Sequence, residues 1–480
     1  MDKHIKSVLK KIVGASQFLD SQEDRISYSY DGTPLLEQMP DAIVLPKDVK
    51  QLSEIVKVCN KEKVSIIPRG SGTGLSGGSI PVENSIVIAL NHWNKILEID
   101  ESNLTITVEP GVVTGTIHSE VEARGLFYPP DPGSGTICTI GGNIAENAGG
   151  IRGLKYGVTK DYVMGLEVVL PNGELLKVGG KTVKDVAGYN LKDVFVGSEG
   201  TLGIITKAIL KLIPFPEVTK TVLVYFKKLE EAASTVSEII AAKILPSALE
   251  FLDRTTIKCV EEYAHLGLEI DIDALLLIEV DGSKEVTDKE AEKILEICKK
   301  NNCSFVKIAK DNEEAVKLRA ARRVAFTALA RAKPTTILED ATVPRSEIAK
   351  MVLEINKIAE KHNVVFGIFG HAGDGNLHPT CLTDKRDEEG IKRAEVAFEE
   401  IFDFAIKLGG TITGEHGVGL SKKRFLNKVT GDVGLELMKN MKLAFDPNII
   451  MNPAKVFSGS PEKLRGDKER FKKFILDEWA

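Results

Sequence analysis

Pro68-Arg69-Gly70-Ser71-Gly72-Thr73-Gly74-Leu75-Ser76-Gly77-Gly78 places five glycines in the nine residues from 70 to 78. Glycine admits positive φ and close backbone approach, so consecutive N–H groups can converge on an anion such as a pyrophosphate. Ser71, Thr73 and Ser76 add hydroxyls along the same edge. The spacing is not G-x-x-x-x-G-K-[ST], which excludes a P-loop. No plain helix succeeds the G-x-G, which weakens a Rossmann fingerprint. Upstream, residues 41–67 alternate strand, helix and strand: AIVLP, then DVKQLSEIVKVCNKE with apolar residues at helical spacing, then VSIIP. A βαβ unit puts the next loop at the carboxyl end of a strand, where open α/β sheets bind ligands.

Working outward, 480 residues argue for two to four domains at roughly 100–200 residues each. Apolar residues make up 43% and charged residues 28%, the balance of a globular protein. Lys+Arg number 63 against 69 Asp+Glu, a net charge of -6. No local run supplies the basic face a nucleic-acid partner needs. No apolar stretch approaches the roughly 18–20 residues of a membrane span, and MDKHIKSVLKKIVG lacks a signal-peptide core. The expectation is a soluble, cytoplasmic protein. The six cysteines form no C-x-x-C pair, so a disulfide framework, zinc ribbon or internal iron–sulfur site is not expected.

Two further glycine clusters lie downstream. One is Asp131-Pro132-Gly133-Ser134 with Thr139-Ile140-Gly141-Gly142-Asn143-Ile144-Ala145-Glu146-Asn147-Ala148-Gly149-Gly150. The other is Val196-Gly197-Ser198-Glu199-Gly200-Thr201-Leu202-Gly203-Ile204-Ile205-Thr206. Three clusters within about 140 residues suggest one extended ligand threaded between backbone-rich walls. PRGSGTGLSGG, DPGS, TIGGNIAENAGG, KDVAGYNLKDVFVGSEGTLGIIT and the later Met451-Asn452-Pro453-Ala454-Lys455 resemble the flavin-binding segments of the vanillyl-alcohol-oxidase/PCMH-type flavoprotein family, in the branch that holds the flavin subunit of glycolate oxidase and the D-lactate dehydrogenases. The resemblance runs over residues 38–457. It implies an α+β fold, with a two-subdomain PCMH-type FAD-binding domain and an α/β cap domain carrying an antiparallel sheet. FAD would lie between the subdomains with its pyrophosphate on the 68–78 loop. Segment 69–78 has neither His nor Cys, so noncovalent FAD is expected. The cofactor residues implied are Pro68, Arg69, Gly70, Ser71, Gly72, Thr73, Gly74, Ser76, Gly77, Asp131, Ser134, Thr139, Gly141, Gly142, Asn143, Ala145, Ala148, Gly149, Gly150, Glu199, Gly200, Gly203, Ile204, Ile205 and Asn452. His92 and Trp93 read as packing residues, Tyr128 as shaping the flavin loop, and Cys138 as a small buried residue.

Beyond the Pro214-Phe215-Pro216 linker the pattern becomes TVLVYF, SALEFL, ALLLIEV and SFVKIA strands with amphipathic helices near 229–243, 254–266 and 286–302. A long helix at 312–332, the TTILEDATVP strand, VVFGIFGHAGDGNLHPT and helix 387–408 come next. The expected division is a helical segment at 1–37, the FAD domain at 38–217 and the cap at 218–425. A segment at 426–457 returns to the FAD domain, and the charged tail 458–480 reads as a surface helix.

Three of the chain's 8 histidines fall in two glycine-rich loops of this second half. His371 and His378 flank an Asp-Gly turn, so on two joined strands their imidazoles can face one point. Glu415 and His416 sit in Thr413-Gly414-Glu415-His416-Gly417. Two His and one carboxylate leave coordination positions open, as a catalytic Zn, Mn or Fe site requires. His416 is then a spare imidazole suited to general-base work. The family resemblance assigns a divalent metal to His371, His378 and Glu415 and the base to His416. It assigns the substrate carboxylate to Arg322. Arg319, where the family often has Trp, and Arg323 read as a solvated helix face. Glu339 is expected to repel a second carboxylate, favouring a monocarboxylate.

These features imply FAD-dependent oxidation of a D-2-hydroxy acid, D-lactate first, with glycolate and D-2-hydroxyglutarate next. Reduced flavin then needs an external acceptor such as an electron-transfer flavoprotein or an iron–sulfur subunit, and oligomers are compatible with the sequence. An electron-relaying flavin subunit and a flavin-free metallohydrolase are the other classes that match parts of the chain.

Overall fold

Asp48 accepts a hydrogen bond from Gln51 N at 2.8 Å and so caps the helix Val49–Glu62, which buries Leu52, Ile55, Val56 and Cys59 at helical spacing. Each such side chain contributes roughly 1.5–3 kcal/mol on burial. The flanking strands Ala42–Val44 and Ser65–Arg69 are parallel but not neighbours, because Ser85–Ala89 pairs between them. The helix is therefore a crossover spanning one strand, and it delivers the 70–78 loop at the carboxyl end of Ser65–Arg69. The structure, a computed structural model, describes residues 1–457; the 458–480 tail lies outside them.

Among the described residues the main sheets have four, five and eight strands. The four-stranded sheet just described packs its own core around Ile55, Ile66 and Ile88. The five-stranded antiparallel sheet carries Ile204–Lys211 at its centre, between Thr105–Val108 and Val163–Val169. These two sheets belong to the N-terminal half, and the glycine clusters connect their strands to short helices such as Ile140–Glu146.

The eight-stranded sheet forms the C-terminal half, with helices on both faces. Side chains alternate along each strand. In Ala274–Gly282, Leu276, Ile278 and Val280 join the core under Leu229–Ala241, Lys284–Lys300, Ile348–His362 and Glu388–Lys407. Leu275 and Leu277 face the opposite core, with Arg254–Ala264 and Asn312–Ala332. This second face looks toward the N-terminal half. The α+β architecture and the antiparallel cap sheet match the expectation, and the long helix occupies the predicted 312–332 window. After helix Leu426–Phe445 the chain returns to the first sheet, where Asn452 N donates to Ile66 O at 2.7 Å. No helix among the described residues is long and apolar enough to cross a membrane. All six cysteines are free thiols.

Candidate active site

A cavity of about 780 Å³ lies between the glycine clusters and the cap sheet, inside the roughly 300–1,000 Å³ range of small-molecule and cofactor sites. Its N-terminal wall is backbone. The amides of residues 71–78 donate to no acceptor among the described residues, and those of 71–75 and 78 belong to residues that line the cavity. Ser71 Oγ donates to Ile137 O at 2.7 Å, tying the first cluster to the second. A row of unused amides beside a cavity suits a diphosphate, which supplies acceptors without demanding side chains. Of the residues expected to bind the cofactor, Pro68 to Gly74, Asp131, Ser134, Thr139, Gly141, Gly142, Asn143, Ala145, Ala148, Gly149, Glu199, Gly200, Gly203, Ile204, Ile205 and Asn452 line the cavity. Ser76, Gly77 and Gly150 lie behind its wall: Ser76 O accepts from Leu420 N and Ser421 N, and a Cβ on Gly77 would meet Leu420.

Glu199 also has a structural task. Its carboxylate accepts from Val418 N and Gly419 N, both at 2.7 Å, and so holds the loop after His416. Asn452 Nδ2 donates to the carbonyls of Gly78 and Glu199, and its buried Oδ1, beside the cavity, has no hydrogen-bond partner among the described residues. Trp93 is buried with its indole N–H on Pro46 O, and Tyr128 is fully buried, both as packing residues.

The cap wall is made of charged side chains. His371 ends strand Phe366–His371 and His378 lies on Asn376–Thr383, both on the cavity face of this hairpin. Their rings lie 5.1 Å apart. Glu415 Oε1 sits 3.2 Å from His371 Nε2 and 3.3 Å from His378 Nε2. Burial opposes it, but His371 and His378 hold the Glu415 carboxyl well below the usual range. His371 is correspondingly held above its ordinary value, against burial, by Glu250 and Glu415. This is a site short of positive charge, and the three donor atoms lie close enough together to share one cation.

Asp340, His378 and His416 form a second such cluster, but the Asp340 oxygens are already used. Oδ2 accepts from the amides of Gly414, Glu415 and His416 at 3.0–3.1 Å and from Thr413 Oγ1 at 3.0 Å, while Oδ1 lies 3.0 Å from His378 Nδ1. Asp340 is the buried peg on which the 413–416 loop hangs. His416 stacks on His378 at 5.1 Å with its Nδ1 3.0 Å from Asp340 Oδ1. Burial pushes its pKa down to about 4, so the ring is neutral near pH 7 and able to accept a proton.

Arg322 lines the cavity with its Nε on Glu250 at 2.5 Å. Arg319 departs from the solvated-face reading. Its Nε donates to Glu279 at 2.6 Å and its side chain lines the cavity, as does the more exposed Arg323. Glu339 is also corrected, since it pairs with the buried Lys422 at 3.1 Å and does not line the cavity. Its expected repulsion of a second carboxylate therefore has no basis. Glu250, Asp340 and Lys422 carried no local sign of these contacts; strand register brings in Glu250, and the chain's return after distant segments brings in Asp340 and Lys422.

Residues 215–456 match the family described as FAD linked oxidases, C-terminal domain, and residues 40–179 the FAD binding domain family. The chain belongs to the FAD-linked oxidase family. It is 55% identical to a glycolate oxidase subunit GlcD of Bacillus subtilis, over 96% of this chain and 98% of that one. It is 36% identical to a D-lactate dehydrogenase of Anaerostipes hadrus, over 87% and 89%. Among solved structures, 4-ethylphenol oxidase from Gulosibacter chungangensis shares the fold at a TM-score of 0.79 and 19% identity, covering 96% of this chain and 98% of that one. This FAD-linked oxidoreductase thus brings a backbone-lined slot and an imidazole–carboxylate cluster to one cavity.

Proposed function

We propose that this FAD-linked oxidoreductase oxidises a small 2-hydroxy acid, glycolate or D-lactate, to its 2-oxo acid. The observation that carries the reading is the convergence on one cavity of His371, His378, Glu415, Arg322 and neutral His416, opposite the amides of residues 71–75, which have no acceptor among the described residues. The relatives named for glycolate and D-lactate support the substrate class, with glycolate first on the strength of the 55% identical relative. Bound FAD supplies a two-electron acceptor, and a divalent cation (zinc, manganese or iron) supplies Lewis acidity toward the substrate oxygen. The 70–74 amides would hold the diphosphate, and His371, His378 and Glu415 the cation. Arg322 presents its free guanidinium N–H groups to the substrate carboxylate. His416 Nε2 takes the hydroxyl proton, its Nδ1 lying on the Asp340 side of the ring, 3.0 Å from Oδ1 but with no hydrogen bond among the described residues. Phe369 and Leu338, both largely buried at the cavity edge, keep water from the reacting carbon.

The chain carries no C-x-x-C motif, so the electrons leave to an external acceptor. The naming of relatives as oxidase subunits fits a protein partner in that role. Anaerobic titration of the yellow holoprotein with glycolate, D-lactate, L-lactate and D-2-hydroxyglutarate, with and without chelator, tests the reading. Glycolate or D-lactate should bleach the flavin band, and chelator should slow the bleaching. A flavin that stays oxidised with every hydroxy acid overturns it.

A further inference from the structure

One buried carboxylate of the cap wall is used neither by the cofactor slot nor by proton transfer. Glu250 lies on strand Ala248–Asp253 and is 1% exposed. Its Oε1 sits 2.7 Å and its Oε2 3.0 Å from His371 Nδ1, and Oε2 also accepts from Arg322 Nε at 2.5 Å. The first contact is built into the sheet, because Glu250 and His371 are register partners on adjacent antiparallel strands. The second comes from helix Asn312–Ala332, which packs over that face. One side chain therefore touches both an imidazole that contacts Glu415 and a guanidinium that lines the cavity.

A carboxylate is acceptor-only, so facing His371 it demands a hydrogen on Nδ1, and Nε2, the nitrogen turned toward Glu415, is the one that would give up its hydrogen to a cation. Facing Arg322, it engages Nε and leaves the terminal N–H groups for a ligand. We propose that Glu250 is a positioning residue that couples the two grips on the substrate, holding His371 in its metal-ligating tautomer and fixing Arg322 at the matching distance for the carboxylate. The inference rests on the preceding reading of His371 as a ligand and Arg322 as an anchor. A neighbouring pair supplies an internal control. Glu279 holds Arg319 at 2.6 Å, three residues back on the same helix, but its other partner is Thr221 and not a histidine.

Glu250→Gln keeps shape and volume but replaces one acceptor oxygen by a donor. If the remaining oxygen serves Arg322, the amide N–H takes the nearer position, 2.7 Å from Nδ1, and leaves that nitrogen only the longer 3.0 Å contact to the shared oxygen, which disfavours the Nδ1–H tautomer of His371. Calorimetric titration of FAD-loaded, chelator-stripped protein with Mn²⁺ reads this directly. Glu250→Gln should bind Mn²⁺ about 10- to 100-fold more weakly than wild type, with the flavin spectrum unchanged, while Glu279→Gln should match wild type. At saturating Mn²⁺ the KM for the hydroxy acid should rise more than kcat falls. Glu250→Asp keeps the charge but is one methylene short of spanning both partners, so it should recover part of the Mn²⁺ affinity; it carries the test if Glu250→Gln does not fold with FAD. Mn²⁺ affinity and KM both at wild-type values in the variant tested would overturn the proposal. So would an equal loss of Mn²⁺ affinity in Glu279→Gln. Wild-type protein that binds no Mn²⁺ would instead remove the metal reading itself, and the inference with it.

Discussion

On the N-terminal side of the cavity the amides from Ser71 to Gly78 are left without a protein acceptor among the described residues. On the cap side Glu250, Asp340 and Glu415 each engage two or more protein groups. The first wall is unsatisfied by design of the backbone: it is complete only around a ligand rich in acceptor oxygens. The second is cross-linked before any ligand arrives, so its imidazoles and guanidinium are already oriented. Preorganised charge of this kind is worth most where bond-making occurs, whereas a slot for a resident cofactor needs reach and close approach more than orientation. The two walls should therefore fail separately under mutation.

The largest separation is expected at His416. Replacing it by Ala removes the neutral imidazole, and the rate of flavin reduction by substrate should fall by about 10²- to 10⁴-fold while FAD content is unchanged. Stopped-flow single turnover measures the first and the visible spectrum the second; wild-type reduction rates in His416→Ala would assign the proton to another group. Asp340→Asn comes next. It leaves shape intact but weakens the hydrogen bonds to the amides of Gly414, Glu415 and His416. Loss of such an orienting partner should lower Mn²⁺ affinity and turnover by about 10- to 100-fold, again without loss of FAD. A colourless Asp340→Asn protein would show that the walls are not independent.

The difference between the walls also explains which residues are legible from the chain alone. The backbone wall is local in sequence: Gly70 to Gly78 announces its own conformation, and the preceding apolar strand places it at a sheet edge. The His371–His378 pair is likewise legible, since seven residues around an Asp-Gly turn return the chain to the same face of a hairpin. Glu250 stands 121 residues before the histidine it orients, and Asp340 stands 38 before His378. Their roles depend on which strands are neighbours, and single-chain periodicity carries no such information. Arg319 misleads for the same reason, because a helix position that looks solvated is covered by Glu279 from a strand 40 residues away. Glu339 misleads because Lys422, which neutralises it, arrives from beyond the 413–416 loop.

A smaller effect is expected from the backbone wall. Gly72 has φ +69°, and a Cβ there would run into the Arg69 guanidinium. Gly72→Ala combines a left-handed backbone cost of about 1 kcal/mol with displacement of Arg69. FAD affinity, measured by fluorescence recovery on cofactor release, should fall by about tenfold. Mn²⁺ binding to the cap cluster should persist, and its parallel loss would join the two walls into one cooperative unit.

The smallest effect tests the seam. Glu146 ends a helix of the backbone wall, but it faces Gly417 of the charged loop and the carboxylate of Glu199. Its buried Oε2 has no hydrogen-bond partner among the described residues. Burial first, and then Glu199 and Asp31, raise its pKa well above the usual carboxylate value. The folded protein therefore retains a proton that the unfolded chain has lost, and stability falls as pH rises through that interval. Glu146→Gln removes the titration while keeping the shape. Its melting temperature should exceed that of wild type by about 2–4 °C at pH 8, the shift of roughly 1 kcal/mol in a domain of this size, and by less at pH 5. The same shift at both values would mean that Glu146 has a partner in the folded state at neutral pH, and that the seam is as fully paired as the charged wall beside it.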